Sequence, residues 1–507
     1  MKSRYKKLVV LSVILCVGFL FAACENQSEQ VGGKGSSWVS SSPEAQGMDS
    51  KVLLEMLETN TDRGFDIHSL LIIRNGHMVL ESSNYPYESD APHMIHSITK
   101  NVTATLVGIA IDEGYIESVD QQIVELLPDL SLKYKDDRIQ DITVKHLLTM
   151  KSGLNWRPAG ASMYTEGEDH IIHALEREMA TNPGEMFEYH SGSTHLLSMI
   201  LTEATGRSTM EYAKEKLFTP LDIEDIHWAV DYQDFHVGGD MLFMRPTDLA
   251  KFGLLYLQQG LWEGERIVPE EWVAISTKNH VDKESYGYSW WIGDNGGFSG
   301  NGVAGQRLTV LPEEELIFVV TSGIGRNAVR ILDSITRNRI MDAVIAEESI
   351  EENPEAFDEL QSLVAKLKKP NGKATDPTLP KTATKVGGNT YLMENGEAFT
   401  VDFSEENETT WIWHREGAGE TEITIGLDNV FRKNRIENFH LYNQIPTKAM
   451  LRGQWEDDNT FILDFTCLEN PMAYYYEFTF DGDTLHHTRT ERLNNSVYLT
   501  TTGTVEK

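Results

Sequence analysis

Around residues 97–114, "SITKNVTATLVGIAIDEG", the apolar positions Ile98, Val102, Leu106 and Ile109 recur at three- and four-residue spacing, and Val107, Ala110 and Ile111 widen the stripe until few polar positions remain. The pattern predicts a helix buried on nearly every side and stopped by Gly114. A second apolar helix is predicted after residue 190, with Leu196, Leu197, Ile200, Leu201 and Ala204 on its core face, and a third at "MEYAKEKL", opened by the capping box Ser208-Thr209-Met210-Glu211. Farther on, "SGNGVAGQRLTVLPEEELIFVVTSG" reads as two antiparallel strands about the turn Pro312-Glu313-Glu314-Glu315. Val303-Ala304-Gly305-Gln306 opens the first of them, and Gly305 would let a ligand approach the backbone closely. The mixed region 38–350 ends in "NAVRILDSITRNRIMDAVIAEESI", a long amphipathic helix.

Residues 351–384 begin as an acidic helical stretch and continue into "KKPNGKATDPTLPKTATKVGG", a Pro, Gly, Lys and Thr-rich linker that marks the domain boundary. From 385 to 507 the periodicity changes to two. Segments such as "TTWIWHRE" and "TEITIGLD" alternate between turns that include Asp457-Asp458-Asn459 and Asp481-Gly482-Asp483, which predicts a small antiparallel β sandwich or barrel. The run Tyr474-Tyr475-Tyr476 belongs to its core and cross-strand packing. A chain of 507 residues has room for these two folded units.

The N-terminus carries a separate instruction. Lys2, Arg4, Lys6 and Lys7 precede an apolar run that is too short to cross a bilayer and ends in Ala22-Ala23-Cys24, so residues 1–23 read as a secretory signal. The junction resembles a bacterial lipobox, with Phe21 where leucine is usual; it implies lipidation of Cys24, a flexible tether over 24–37, and anchoring to the outside of a bacterial membrane. The formal charge of −34 becomes more negative once those basic residues are removed, which excludes a basic nucleic-acid footprint and disfavours direct adhesion to anionic headgroups. Of three cysteines only Cys467 lies in the folded body, so no internal disulfide framework is available.

The candidate chemistry starts at the head of the buried helix. Ser97 suits an N-cap, but a capping box would have Glu or Gln three residues later; here stands Lys100, a cation at the positive end of a helix dipole. That position disfavours the protonated amine and offers a base for the serine proton, and residues i and i+3 share one helix face. Downstream, Tyr189-His190-Ser191 lies on a loop before the second helix, where a phenolate could reach the nucleophile.

In order, S-x-x-K at Ser97 to Lys100, Y-x-S at Tyr189 to Ser191 and the small-residue motif at Val303 to Gln306 resemble the serine β-lactamase and penicillin-binding superfamily, particularly its class C-like branch of esterases, DD-peptidases and nylon-oligomer hydrolases. "ITVKHLLTMKSGL" looks like the same branch. The resemblance covers roughly 38–350 and implies an α+β fold: an antiparallel sheet with helices on both faces and a helical subdomain carrying the tyrosine. It further implies Ser97 as the acylated nucleophile, Lys100 and Tyr189 as base and acid, Ser191 as support, and an oxyanion site at the N–H groups of Ser97 and Gln306, beside Gly305. Two positions depart from it. Ser191 stands where class C enzymes have asparagine, and Val303-Ala304 replace the Lys-Thr that holds a β-lactam carboxylate, which points to esters or amides before β-lactams.

The expectation is a serine hydrolase for a small or peptide-like acyl substrate, with no cofactor and no metal. An α/β-hydrolase is disfavoured because no G-x-S-x-G occurs, and a zinc hydrolase because there is no H-E-x-x-H and His170 and His173 lack a third ligand. The alternatives carried forward are a β-lactam-binding DD-peptidase or β-lactamase and a non-turnover surface sensor.

Overall fold

The computed structural model describes residues 38–128, 134–156, 170–281, 283–293, 296–370, 374, 376–437 and 447–506. The signal sequence, Cys24 and the tether lie outside the described residues, as do the side chains of His170 and His173. The elements that position the site are, in chain order, helix α1 (Ser50–Asp62), strands β1 (Ile67–Arg74) and β2 (His77–Ser83), helices α2 (Thr99–Asp112), α3 (Ser191–Thr205) and α4 (Pro246–Leu257), strands β3 (Trp291–Ile292), β4 (Phe298–Gly302), β5 (Gln306–Leu311) and β6 (Leu316–Ser322), and helices α5 (Arg326–Ala343) and α6 (Pro354–Leu367).

The six strands form one antiparallel sheet in the order β2-β1-β6-β5-β4-β3. Strands β1 and β6 are buried along their whole length because both faces are covered, and the two-residue period sorts their side chains. Leu71, Ile73, Leu308, Val310, Ile317 and Val319 enter a core shared with α2, α3 and α4, while Leu70, Ile72, Phe318 and Val320 meet α1, α5 and α6 on the other side. Helix α4 can sit this close because Gly253 has no side chain: a Cβ there would come within 2.8 Å of Leu308 Cδ1. Helix α6, within the stretch read as linker, buries Leu360 and Val364 in the second of these cores, so the N-terminal folded unit continues through it.

The strand opening differs from the sequence reading. Val303, Ala304 and Gly305 form a single 3-10 turn between β4 and β5, and β5 itself begins at Gln306. Ala304 and Gly305 both have positive φ, 63° and 89°, which a strand cannot accommodate.

The C-terminal unit is a ten-stranded β-barrel running from Thr390–Met393 to Ser496–Val505, antiparallel apart from one parallel bridge between Gly426 and Arg452. Alternation holds here too: Trp411 and Trp413 face inward from Glu408–Arg415, as Tyr476 and Phe478 do from Ala473–Asp481. Within the tyrosine run, Tyr476 is buried whereas Tyr475 is exposed beneath the Arg492 guanidinium. Closure uses a side chain, since Asn434 accepts from Thr424 N and donates to Thr424 O, both at 2.8 Å, imitating a strand partner. Among the described residues no helix is long and apolar enough to cross a membrane.

Candidate active site

Ser97 sits in a 3-10 turn, His96–Ile98, that runs straight into α2. No side chain caps either segment; Ser97 Oγ is instead 2.9 Å from Lys100 Nζ. The preceding residue, His96, adopts φ +49°, an uncommon conformation for a residue with a side chain. Twelve consecutive residues of α2, Thr99 to Ala110, are buried, so the helix holds Lys100 at 1 % exposure deep beneath the serine.

Lys100 Nζ has three polar partners: Ser97 Oγ at 2.9 Å, Ser191 Oγ at 2.9 Å and the Gly239 carbonyl at 2.6 Å. An ammonium donates to all three. A neutral amine has two N–H bonds and a lone pair; Gly239 O can only accept, Ser191 can take the second N–H, and the lone pair is then available to the Ser97 hydroxyl proton. The same heavy-atom geometry serves both protonation states, which is what a proton acceptor for Ser97 requires.

Ser191 is delivered by the start of α3, where His190 caps the helix by accepting from Gly192 N. Tyr189 immediately precedes it, and Lys100 Nζ lies over its ring, 5.0 Å from the centroid. Tyr189 also stacks on Trp291 (5.6 Å) and meets Tyr286 edge-on (6.1 Å), while Phe187 packs against both of the latter. Burial pushes the Tyr286 hydroxyl well above its ordinary pKa, and Tyr189 reinforces that shift. An aromatic wall therefore borders the amine.

Strand β4 flanks the nucleophile turn. A Cβ on Gly302 would come within 2.6 Å of Ile95 O, and one on Gly300 within 2.5 Å of Asn101 Oδ1, so side chains at these positions would force the strand away. Gln306, which follows the turn, is fully buried; its amide donates to Val303 O and Ser322 O and accepts from Ser322 N. Gly305 has a conformational reason to be glycine: a Cβ would lie 2.3 Å from Ser322 Oγ.

The structure thus links Ser97, Lys100 and Ser191 by hydrogen bonds and brings Tyr189 in by its ring, while Gly305 and Gln306 shape the neighbouring turn. Sequence reasoning missed the segment that grips this group, Gly238-Gly239-Asp240. Gly238 O accepts from Thr103 Oγ1 (2.8 Å), Gly239 O from Lys100, and Asp240 Oδ1 lies 3.1 Å from His96 Nδ1. The segment threads between α2 and α3 so closely that Cβ atoms on the two glycines would meet Thr194 O at 2.4 Å and Ser191 O at 2.7 Å. Burial pushes the Asp240 carboxyl up, but the His96 imidazole, its hydrogen bond and the Lys100 charge outweigh this and hold the carboxyl below its usual range. The available signal was a double glycine and an acid between the apolar Val237 and Met241.

A helix-covered antiparallel sheet with a Ser-Lys pair at the head of a buried helix defines a serine hydrolase of the β-lactamase and penicillin-binding type. The chain belongs to the beta-lactamase family, whose profile matches residues 57–333. It is 26 % identical over 297 residues to 6-aminohexanoate-dimer hydrolase of Paenarthrobacter ureafaciens, covering 52 % of this chain and 73 % of that protein. To the lovastatin esterase of Penicillium rubens it is 23 % identical over 198 residues, covering 34 % and 49 %. A solved structure from Bacillus anthracis, provisionally assigned as a 6-aminohexanoate-dimer hydrolase, superposes with a TM-score of 0.52 at 20 % identity, over 61 % of this chain and 87 % of that one. Among the described residues no group of three or more His, Cys, Asp or Glu is placed to hold a metal ion.

Proposed function

We propose that this serine hydrolase cleaves ester or amide bonds through an acyl-enzyme on Ser97. The observation that carries the reading is the 2.9 Å approach of Lys100 Nζ to both Ser97 Oγ and Ser191 Oγ. Ser97 Oγ attacks the acyl carbon as its proton passes to Lys100. The bond to the leaving alcohol or amine breaks, and that group departs with a proton relayed through Lys100 and Tyr189. Water then attacks the acyl-enzyme, releasing the acid and returning the proton to Ser97. Backbone N–H groups of Ser97 and Gln306 receive the developing oxyanion in this reading.

Val303-Ala304 provide neither a cation nor a hydroxyl for a β-lactam carboxylate, and the Tyr189, Tyr286 and Trp291 rings favour an uncharged, apolar acyl group. The names of the two relatives, a 6-aminohexanoate-dimer hydrolase and a lovastatin esterase, accord with a hydrolase of this kind. Export and a lipid on Cys24 complete the proposal, supported by the signal pattern and the polar tether. The expected result is that purified protein hydrolyses short-chain nitrophenyl esters, a fluorophosphonate adds one label seen by intact mass, and Ser97→Ala abolishes both. Equal rates for wild type and Ser97→Ala would overturn the assignment.

A further inference from the structure

We infer that His96 and Asp240 form a partly buried couple that sets the proton affinity of the Ser97–Lys100 pair, with Asp240 as a positioning residue. This inference rests on the Ser97 reading. Two adjacent residues, Gly239 and Asp240, hold the two halves of the reacting pair. The Gly239 carbonyl takes Lys100 Nζ at 2.6 Å, and the Asp240 carboxylate takes the imidazole of the residue directly before the nucleophile at 3.1 Å. Asp240 Oδ1 also accepts from Met241 N at 2.7 Å, which fixes the carboxylate against its own backbone.

The three atoms bound to Lys100 Nζ carry no formal charge, so a counter-charge for the protonated amine has to come from farther away. Asp240 is placed for that, since its carboxylate interacts electrostatically with both Lys100 and His96. Other ionisable groups near the three are His93, which interacts with His96, Tyr189, whose ring lies against Lys100, Tyr286 beside Tyr189, and the His195–Asp231 pair (3.0 Å) behind Gly238, whose N–H meets His195 Nδ1. The carboxylate favours the ammonium of Lys100, and the imidazole tempers it. Removing one or the other should therefore move the base in opposite directions relative to each other.

The test is the acidic limb of kcat/KM for ester hydrolysis in the full chain. The limb of Asp240→Asn should lie about one pH unit below that of His96→Asn, the size of effect expected of a nearby unit charge. Asp240→Glu, which keeps the charge, should stay near the wild type. A merely structural role would lower kcat or Tm in all three without separating the limbs. Coincident limbs for Asp240→Asn and His96→Asn overturn the inference. Should one asparagine variant not fold, the other decides against wild type: a limb lowered in Asp240→Asn or raised in His96→Asn supports the inference, and an undisplaced limb overturns it. Ser97→Ala in parallel keeps the two readings apart: if it is inactive while the limbs coincide, only the present inference fails.

Discussion

Adding one methyl group to Gly239 is a stringent test of the site. The Cβ of Gly239→Ala would stand 2.7 Å from Ser191 O and 2.8 Å from Ser191 Cβ, both backbone-held atoms at the start of α3. Reaching ordinary contact requires a displacement of about 0.7 Å, because close-packed interiors do not absorb such overlap freely. If residue 239 takes all of that movement, its carbonyl goes from 2.6 Å to about 3.3 Å from Lys100, just past the usual hydrogen-bonding range. Losing a hydrogen bond to a charged group costs about 1.5–3 kcal/mol, which corresponds to about 10- to 150-fold in rate. Overpacking lowers stability by about 1–3 kcal/mol as well. The assay is kcat/KM for an activated ester, measured well below Tm, with far-UV circular dichroism to confirm folding. Gly387→Ala is the matched control, since its φ of −57° suits alanine and its Cβ would approach nothing closer than 3.4 Å. Folded Gly239→Ala with kcat/KM within twofold of the control would refute the claim that this carbonyl positions the amine.

Two further outcomes follow from other parts of the molecule. His487 is fully buried in the barrel, its ring stacked 4.5 Å from Phe478; burial, with Arg489 adding to it, pushes the imidazole down to about 4. A depressed histidine leaves the unfolded chain holding more protons between pH 4 and about 6.5, so barrel stability is whole above that window and falls by about 3 kcal/mol as the pH drops through it. Urea unfolding followed by tryptophan fluorescence at pH 7 and 4.5 should show the loss in wild type and much less in His487→Phe; equal pH sensitivity of the two would refute it. At the turn beside the site, Val303 is 53 % exposed and brings no charge, so nitrocefin should be turned over far more slowly than a nitrophenyl ester, and Val303→Lys should narrow the gap. Comparable wild-type rates on both substrates would show that the missing cation does not govern substrate choice.

How much of this was legible depended on sequence distance. Ser97 and Lys100 are one helical turn apart, so their contact follows from α-helical geometry once the apolar stripe is seen. The barrel's inward and outward faces could be read from alternation in the same way. The Gly239 and Asp240 contacts join positions 139 and 144 residues apart in sequence, and no local period encodes them. Gly305 illustrates a different limit. Glycine signals that something comes close or that φ is positive, but not which atom approaches, and here it is Ser322 Oγ of the adjacent strand. Barrel closure through Asn434 was invisible for a related reason, since an asparagine in a strand gives no sign that its amide will act as a backbone partner.

The same distance argument explains the strained residue before the nucleophile. A left-handed conformation at His96 costs about 1–2 kcal/mol and persists only if its surroundings over-determine it. Four contacts from separate parts of the chain do so. Met94 N donates to Glu469 O of the C-terminal barrel at 2.6 Å, and Ile95 N donates to Leu242 O at 3.0 Å. The His96 ring meets Asp240, and its carbonyl accepts from Thr99 Oγ1 of α2 at 2.6 Å. Each bond contributes about 1 kcal/mol net, so the four together exceed the cost while no single one does. The turn that presents Ser97 to Lys100 is therefore held jointly by α2, by the segment after Gly239 and by the barrel, whose backbone reaches to within three residues of the serine.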